Sequence, residues 1–527
     1  MAEPDTTSTP DGSPGSAAPW RAFAHPLTLV LMAGAVAASF VARFFVTSPL
    51  WLDEALSVNI AKLPLGSISD ALRHDGHPPL YYVLLHGWMS LFGESDHAVR
   101  ALSGLITVAT LPLAYLVGRR IGGRRLGYTT ALVFALSPYA FRYGSETRMY
   151  ALLMAEVFAG YLLITAAIAA PKLRTLAGIA VTTGLLLWTH YWSMWLIAAI
   201  GVLAVVRLAR AQRRGDRELV AGSLKILAAM AVGALTFVPW VPNLLYQSAH
   251  TGTPWAKSFR ITNLIVTSLT EFAGGPYSEA QIGMLLLVIL VVIGIFGTGI
   301  DHQRIELDFF AHPLARRPLS VLALTAVIAS VVALANGMGF SPRYAAVYFP
   351  FFVILVALGL DQFRSGVVRE VVLVAFVATA LAGIGFVLRL DRTEAGVATD
   401  AIRAAAPTGV VIACPDQLGP SVARLLDEQK YDVTTYPRFA APERVDWVDY
   451  KERNAKNDPA KFGADLLKRA EGKALFIVVG DNFLTLEGQC QKVVETVAGS
   501  RPARTIVLPS TEKFYEPMAV IEFDPPK

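Results

Sequence analysis

Two adjacent carboxylates, Asp53 and Glu54, directly follow the first long apolar stretch of the chain. Acidic residues are rare inside the other apolar stretches, so a pair at the end of one of them stands out. A carboxylate held at a membrane surface can act as a general base, taking a proton from a hydroxyl group. The pair can also simply start an interfacial helix, because negative charge is favourable at a helix N-terminus. Asp53 and Glu54 are therefore candidate catalytic residues, and the helix-start interpretation stays open.

A second polar cluster occupies residues 141–150, between two apolar stretches that a short uncharged turn would connect. Arg148 can bind a phosphate through two parallel hydrogen bonds, and Glu146 can orient that arginine or contact a sugar hydroxyl. The alternative is an ion pair that only fastens the loop. A later apolar stretch begins in a similar way with Arg343, which can alternatively reach lipid headgroups. The candidate phosphate-binding residues are Arg148, Tyr150, Arg343 and Tyr344.

Histidines supply further candidates. His77 precedes Pro78 and Pro79, which place it just outside the helix that they begin; a structural capping role is equally open. His190 lies within the aromatic run 188–195, where anchoring at the membrane interface explains the tryptophans and tyrosines but not the histidine. The candidate substrate-binding residues are His77, Tyr81, His190 and Glu271.

Glu271 belongs to a segment with Gly274, Gly275 and Tyr277. Glycines and an aromatic residue in a long external segment are compatible with a mobile flap over a substrate. A structured loop without a function is an equal alternative.

The elements that must position these residues are membrane spans. Apolar residues make up 54% of the chain and charged residues 17%, and the mean hydropathy is +0.48, which excludes a soluble globular protein. A helix needs about 20 apolar residues to cross the hydrocarbon core. Eleven spans are predicted at 27–47, 99–118, 127–141, 149–170, 174–189, 192–209, 222–241, 280–299, 318–336, 345–361 and 370–389.

Basic residues predict the orientation, because lysine and arginine near span ends stay on the cytoplasmic side. Arginine-rich loops near 119–125, 207–217 and 364–369 alternate correctly with eleven spans. The N-terminus is then cytoplasmic, and the candidate residues share the external side of a plasma-membrane protein. This bias accounts for the net charge of +5 without a nucleic-acid partner. The predicted external segments are 49–98, 142–148, 190–191, 242–279 and 337–344.

Three regions are expected. Residues 1–26 are rich in Ser, Thr, Pro and Gly and predict a disordered cytoplasmic tail. Residues 27–390 form the membrane domain, in which the first external segment folds into juxtamembrane helices. Residues 391–527 alternate short β-type runs with helical stretches, such as 421–429 and 486–497, and predict a small extracytoplasmic α/β domain. Cys414 and Cys490 both fall in that domain, where a disulfide is open but not decided by sequence.

The Asp-Glu pair after the first span, His-Pro-Pro-Leu-Tyr at 77–81, Glu-x-Arg-x-Tyr at 146–150 and Arg343-Tyr344 before a late span together resemble the GT-C glycosyltransferases. Within these the chain is most similar to the protein O-mannosyltransferase and lipid A aminoarabinose transferase branch, over about residues 30–390. The resemblance implies that a sugar is taken from a polyprenyl-phosphate carrier. It also implies Asp53 as the catalytic carboxylate with Glu54 beside it, Glu146 in the second acidic position, and Arg148 and Arg343 near the carrier phosphate.

Elementary chemistry agrees with what the resemblance implies. Negative charge grows on a departing polyprenyl phosphate, so fixed arginines stabilise the transition state more than the ground state. Asp53 would deprotonate an acceptor hydroxyl, and direct displacement would invert the anomeric centre. The spans would provide a lateral groove for the prenyl chain. No cofactor is expected; a divalent ion at Asp53, Glu54 and His77 is possible but not favoured.

Other function classes stay open. External arginines and the intramembrane Glu156 also suit a transporter or flippase of lipid-linked sugars, and an inactive envelope scaffold is a third reading. The sequence shows no convincing internal repeat, and its charges gather at one surface. The expected partners are a polyprenyl-phosphate sugar, membrane lipids and a cell-envelope acceptor, which is a glycan, a glycolipid or a protein. The sequence does not select among acceptors or donor sugars.

Overall fold

The computed structural model describes residues 25–524 except 255, 257, 258, 277, 302, 303, 365, 481 and 482. The predicted disordered tail and Tyr277 therefore lie outside the described residues. Up to residue 389 the chain is almost entirely helical. Its helices are α1 (Pro26–Phe44), α2 (Leu52–Ala61), α3 (Leu65–Asp75), α4 (Leu80–Phe92), α5 (Asp96–Leu136), α6 (Pro138–Gly144), α7 (Tyr150–Ala169), α8 (Leu173–Thr189), α9 (Ser193–Arg213), α10 (Arg217–Leu235), α11 (Val241–His250), α12 (Ile261–Ala273), α13 (Ser278–Phe296), α14 (Arg316–Asn336), α15 (Phe349–Gln362) and α16 (Val367–Arg389).

Membrane-spanning helices dominate this part, as predicted. Among the described residues, seven helices are long and apolar enough to cross a membrane, namely α1, α5, α7, α9, α10, α14 and α16. The apolar helices α8, α13 and α15 are shorter. α5 contains two spans, because its helix is interrupted at Gly122 and Gly123, and Gly123 adopts a positive φ of 86° that favours glycine. These segments account for the eleven predicted spans of a multi-pass membrane protein.

The predicted span 127–141 is wrong in one respect, since the helix breaks at Ser137. Ser137 caps a new helix by accepting a hydrogen bond from the Ala140 backbone N–H at 3.3 Å, and Pro138 occupies its first turn. α6 is therefore a separate short helix that turns away from α5. This break matters because α6 carries Arg142 toward the polar cluster described below.

The first external segment folds into α2, α3 and α4, the predicted juxtamembrane helices. His77 lies between α3 and α4, outside both, as the two prolines after it predict. Gly76 ends α3 in the left-handed conformation, with φ of 93°, and so reverses the chain toward His77. A hairpin not predicted from sequence, β1 (Gly297–Gly299) with β2 (Ile305–Leu307), follows α13.

The C-terminal part is the predicted α/β unit. Its elements are β3 (Asp391–Thr393), α17 (Ala395–Ala405), β4 (Gly409–Cys414), α18 (Gly419–Ala423), β5 (Tyr431–Thr435), α19 (Tyr450–Asn454), α20 (Pro459–Arg469), β6 (Leu475–Val479), α21 (Gln489–Ala498), β7 (Ala503–Val507), β8 (Phe514–Glu516) and β9 (Ala519–Phe523). The main sheet has the order β5-β4-β6-β9-β7, in which β4, β5 and β6 run parallel and β9 is antiparallel to both neighbours. Cys414 and Cys490 form a disulfide between β4 and α21.

A helix predicted over 421–429 is wrong in extent, because α18 ends at Ala423. The Asp427 carboxylate accepts a hydrogen bond from the Gln429 backbone N–H at 3.0 Å, and the Asp427 carbonyl accepts from Lys430 and Tyr431. An aspartate that bonds its own following backbone favours a turn over a helix. The chain therefore turns directly into β5.

The α/β unit packs against the membrane domain through polar contacts and a small extra sheet. β3 and β8 pair in parallel outside the main sheet. Arg424 bonds the Asp96 carboxylate at 2.9 Å, and Asn59 donates to the Glu443 carbonyl at 2.7 Å. His250 and Asp449 also pair at 2.9 Å. These contacts hold the α/β unit over the helices that carry the polar cluster.

Candidate functional site

Asp53 and Glu54 both lie in the first turn of α2, but their side chains contact different residues. Successive residues of an α-helix project about 100° apart, so adjacent side chains face different surroundings. The Glu54 carboxylate is fully buried and receives two hydrogen bonds from the Arg100 guanidinium, at 2.8 and 2.6 Å, and a third from the Thr147 backbone N–H at 3.0 Å. Burial opposes its charge, but Arg100 outweighs burial and lowers the pKa of Glu54. Glu54 therefore ties α2 to α5 and to the loop before α7.

Asp53 instead faces Arg343, and the two side chains form an ion pair. Arg343 lies at the start of a short 3-10 helix, residues 342–347, which precedes α15. The pair is mostly buried, with side-chain exposures of 13% for Asp53 and 15% for Arg343, so it retains access to solvent. The structure thus brings together a carboxylate and a guanidinium that are 290 residues apart in sequence.

Arg148 forms the adjoining wall through a chain of hydrogen bonds. Its guanidinium donates to the Ser57 hydroxyl at 3.0 Å and to the Asp53 backbone carbonyl at 3.3 Å. It also contacts His77 Nε2 at 3.1 Å. A guanidinium only donates, so Nε2 is the acceptor and the proton of the neutral imidazole sits on Nδ1. That Nδ1 lies 2.9 Å from the Asp75 carboxylate and donates to it. Asp75 and His77 therefore orient Arg148.

Aromatic rings enclose the other side of these charges. His190 lies 5.8 Å from the Tyr150 ring and 5.5 Å from the Tyr344 ring, measured between centroids. Its Nδ1 accepts from the Trp192 backbone N–H at 3.1 Å. Burial lowers the pKa of His190, and the nearby Arg148 and Arg343 guanidinium groups lower it further, so the ring is neutral. The buried Tyr150 hydroxyl has no hydrogen-bond partner among the described residues, which leaves a donor available to a ligand.

Glu146 is enclosed beneath the loop that carries Arg148. Its carboxylate accepts a hydrogen bond at 2.9 Å from Arg392 of β3, and its second oxygen is buried without a partner among the described residues. Burial raises the pKa of Glu146, and Arg392 and Arg142 only partly offset that effect. Arg392 also donates to the Ser145 hydroxyl at 3.1 Å. The C-terminal unit therefore reaches into the cluster.

The remaining predicted residues lie at its margins. Tyr81 is fully buried and its hydroxyl bonds Ser103 at 3.0 Å, so it supports the site from behind. Glu271 is half-buried near the end of α12; burial raises the pKa of its carboxyl, and Arg142 acts in the opposite direction. The carboxylate of Glu156 accepts from Thr189 at 2.9 Å within the helix bundle.

Sequence reasoning missed several residues of this cluster. Arg100 and Arg392 are the buried partners of two predicted carboxylates, and Asp75 completes the contact to His77. The available signal was an arginine inside an otherwise apolar span and an Asp-x-His spacing at 75–77.

No metal site is evident in the part of the chain that the structure describes, where no three His, Cys, Asp or Glu side chains converge. Asp53, Glu54 and His77, the set that could have held a divalent ion, are each directed toward a different arginine. Metal independence remains a prediction.

An apolar crevice begins beside the polar cluster. Its volume is about 20 Å³, and it is lined by side chains of α5, α6, α12, α13, α15 and α16, including Phe272, Phe349 and Phe376. Tyr139 connects the two features, because its ring lies 4.7 Å from Phe349 and its hydroxyl donates to the Arg343 carbonyl at 3.0 Å. The polar cluster thus adjoins a narrow apolar space.

Residues 76–242 match the family described as dolichyl-phosphate-mannose-protein mannosyltransferase. The fold is similar to the crystal structure of ArnT from Cupriavidus metallidurans bound to undecaprenyl phosphate, with a TM-score of 0.56 and 12% identity, over 95% of this chain and 98% of that chain. ArnT from the same organism in the apo state gives a TM-score of 0.56 and 12% identity, over 94% and 97%. The apo oligosaccharyltransferase of Archaeoglobus fulgidus is a weaker match, with a TM-score of 0.49 and 11% identity, over 90% and 71%. Comparison with curated proteins gives no significant match.

The family match covers the segment that carries His77, Arg148 and His190, and the ArnT-like fold extends over nearly the whole chain. Both comparisons agree with the resemblance drawn from the sequence, because part of the chain matches the mannosyltransferase family model and the fold is similar to that of ArnT.

Proposed function

We propose that this protein is a glycosyltransferase that moves a sugar from a polyprenyl-phosphate donor to a cell-envelope acceptor on the outer face of the membrane, with inversion, and that Asp53 is the general base. The observation that carries the proposal is the partly exposed ion pair between Asp53 and Arg343, which lies beside Arg148 and the unpartnered Tyr150 hydroxyl. This arrangement places a proton acceptor next to groups that bind phosphate.

The ion pair suggests how the base becomes available. Without donor, the Arg343 guanidinium neutralises Asp53. A carrier phosphate competes for that guanidinium, because arginine binds phosphate through strong charge-assisted hydrogen bonds. Asp53 is then released toward the acceptor hydroxyl. Arg148 stays fixed by Ser57 and His77 while the phosphate arrives.

The bond changes balance without a covalent enzyme intermediate. The acceptor oxygen attacks the anomeric carbon as Asp53 takes its proton, and the bond between that carbon and the phosphate oxygen breaks. Polyprenyl phosphate leaves with the bonding electron pair, and Arg148 and Arg343 stabilise the growing negative charge. One displacement inverts the anomeric centre. Only one catalytic carboxylate is required, in agreement with the enclosure of Glu54 and Glu146 by Arg100 and Arg392.

The apolar crevice marks the path that we propose for the prenyl chain of the donor. It lies among spanning helices and begins where Tyr139 contacts Arg343, and because its volume is only about 20 Å³, the lining side chains must separate for a prenyl chain to enter. ArnT, whose fold is similar, has been crystallised with undecaprenyl phosphate, which supports a carrier of this class.

The proposed outer location rests on the basic residues. Arg125 donates to the Asp361 and Phe363 carbonyls at 3.0 and 2.6 Å, and Arg120 donates to the Thr165 carbonyl at 3.0 Å. These contacts join the glycine interruption of α5 to the C-terminal ends of α7 and α15, whereas Asp53 is grouped with Arg148 and Arg343, which precede the N-terminal ends of α7 and α15, and with the α/β unit. The positive-inside rule then assigns the arginine-rich side to the cytoplasm.

A transfer assay tests the proposal. The full-length protein in nanodiscs is mixed with polyprenyl phosphates that carry radiolabelled mannose, arabinose or galactosamine, and with extracted envelope acceptors. We expect labelled acceptor with the wild-type protein and with Asp70→Asn, which changes an exposed carboxylate of α3. Asp53→Asn should reduce transfer by about 10²-fold or more, the usual contribution of a general base. Normal turnover of that variant would exclude Asp53 from the mechanism, and movement of intact carrier without product would instead indicate transport.

A further inference from the structure

A row of alternating charged and aromatic side chains leads from the proposed catalytic base to the α/β unit. The Arg343 guanidinium carbon lies 5.8 Å from the centroid of a Trp51 ring. Trp51 meets Tyr515 of β8 edge to face, with ring centroids 5.2 Å apart. The guanidinium carbon of Arg142, which belongs to α6, lies 5.0 Å from the centroid of the Tyr515 ring. Tyr515 of the α/β unit therefore contacts the membrane domain next to the Asp53–Arg343 pair.

Two members of this row are available to a ligand. The Tyr515 side chain is 52% exposed, although its neighbour Trp51 is buried. Among the described residues the Arg142 side chain makes no hydrogen bond or ion pair, and its described contact is with the face of Tyr515. Glu271 and Arg142 influence each other electrostatically without forming an ion pair. A ligand at this place would therefore meet the exposed ring of Tyr515, the guanidinium of Arg142 and the oppositely charged carboxylate of Glu271.

We propose that Tyr515, Arg142 and Glu271 form the acceptor subsite, and that the acceptor is a neutral carbohydrate; this inference rests on the proposed transferase function. A sugar ring has a C–H face that packs on an aromatic ring, and hydroxyl groups that accept from a guanidinium and donate to a carboxylate. Convergent polar groups around an aromatic surface are the usual means of orienting a small ligand. The subsite adjoins Trp51, two residues before the base.

The balance of charge favours a neutral acceptor over an anionic one. Arg142 is offset by Glu271 and by the nearby Glu146, whereas the donor phosphate already has Arg148 and Arg343. An acidic lipid or a phosphorylated peptide would bring its charge close to both carboxylates. A polyhydroxylated ligand uses donors and acceptors alike and meets no such repulsion.

Tyr515 is not required merely to hold the domains together. The Arg424–Asp96 pair, the Asn59–Glu443 contact and the His250–Asp449 pair lie elsewhere on the interface. An aromatic ring that served only docking would be expected to bury most of its surface. Its exposure beside Trp51 and Arg142 points to a ligand instead.

Steady-state kinetics of the full-length enzyme test the inference. The acceptor probes are octyl glycosides of mannose, galactose, glucose and arabinose, with a Ser/Thr-containing peptide for comparison. We expect Tyr515→Ala and Arg142→Ala to raise the KM for the glycoside roughly tenfold while the KM for donor changes little. Tyr515→Phe keeps the ring and should resemble wild type. Arg424→Ala removes an interface contact away from the row and should change neither KM, and thermal unfolding checks that each variant is folded.

Three results would overturn the carbohydrate subsite. These are transfer to the peptide alone, failure of every glycoside while sugar is still released from the donor to water, and equal KM changes for donor and glycoside in Tyr515→Ala. A failure of the transferase function itself looks different, because the wild-type protein would then release no sugar from the donor under any condition.

Discussion

At the scale of single residues, the site depends on which arginine each carboxylate meets. Asp53 and Glu54 are adjacent, yet Glu54 is enclosed by Arg100 and a backbone N–H while Asp53 faces a guanidinium that a ligand can also bind. A buried carboxylate that accepts three hydrogen bonds is held in place by them and has little freedom to exchange protons with substrate. Asp53 has fewer such constraints, which is why it is the better base.

Donor affinity tests the role of the Asp53–Arg343 pair. Arg343→Ala should weaken binding of polyprenyl phosphate by roughly 10–100-fold, because a hydrogen bond to a charged group contributes about 1.5–3 kcal/mol. Asp53→Asn should bind at least as tightly as wild type, since the guanidinium no longer has a competing carboxylate. Titration of labelled polyprenyl phosphate into each variant in nanodiscs gives both Kd values. Weaker binding by Asp53→Asn would show that the carboxylate helps to hold the donor.

The hydrogen-bonding direction at His77 makes a second prediction. His77 Nε2 accepts from Arg148, so a replacement must present an acceptor at that distance from the backbone. Glutamine places its carbonyl near the position of Nε2, whereas asparagine places its own near Nδ1. We expect His77→Gln to retain more transfer activity than His77→Asn, with the difference mainly in the KM for donor. The reverse order would mean that the contact with Asp75 matters more than the contact with Arg148.

At the scale of elements, α2 is fixed by a buried ion pair that links three segments. Glu54 connects α2 to α5 through Arg100 and to the 145–149 loop through Thr147. Glu54→Gln should therefore lower stability by about 3 kcal/mol, because removal of one partner leaves a buried charge without compensation. Thermal unfolding in detergent measures the change, with Asp53→Asn as the matched neighbour. A stable but inactive Glu54→Gln enzyme would instead assign Glu54 to the chemistry.

Much of the element-level structure follows from local sequence. The spans are long and apolar, and Pro78 with Pro79 determines where α4 begins, so the membrane fold and the position of His77 are predictable. Capping at Ser137 and the turn at Asp427 were also present in the sequence, but the first competes with an apolar run that continues past it and the second with residues 428–430, which could equally extend the helix. Where each helix ends therefore depends on tertiary packing, which the local sequence does not contain.

The partners of the carboxylates could not be predicted in the same way. Arg100 and Arg392 lie 46 and 246 residues from the glutamates that they bind. The spacing of apolar residues predicts which face of a helix is buried, but it does not identify the distant residue that packs against that face. For the same reason the sequence placed Arg343 outside the membrane without identifying Asp53 as its partner.

At the scale of the whole molecule, the α/β unit is part of the site. Arg392 of β3 holds Glu146, and Glu516 of β8 accepts a hydrogen bond from the Leu52 backbone N–H at 3.4 Å, at the start of α2. β3 and β8 pair with each other, so one small sheet delivers both contacts. The position of Asp53 is thus coupled to the docking of the α/β unit.

This coupling predicts a pH dependence of stability. Burial raises the pKa of Glu516 from 4.5 to about 7, and hydrogen bonds to Ser421 and Leu52 only partly oppose it. The folded state therefore binds a proton at Glu516 that the unfolded chain releases, so the contribution of Glu516 to stability is complete below pH 4.5 and is lost as the pH rises to about 7, a change on the order of 3 kcal/mol. Glu516→Gln should remove most of this decline, whereas Glu428→Gln, at an exposed position, should not. Thermal unfolding between pH 5 and 8 makes the comparison, and identical pH profiles for wild type and Glu516→Gln would show that Glu516 is already ionised at the interface.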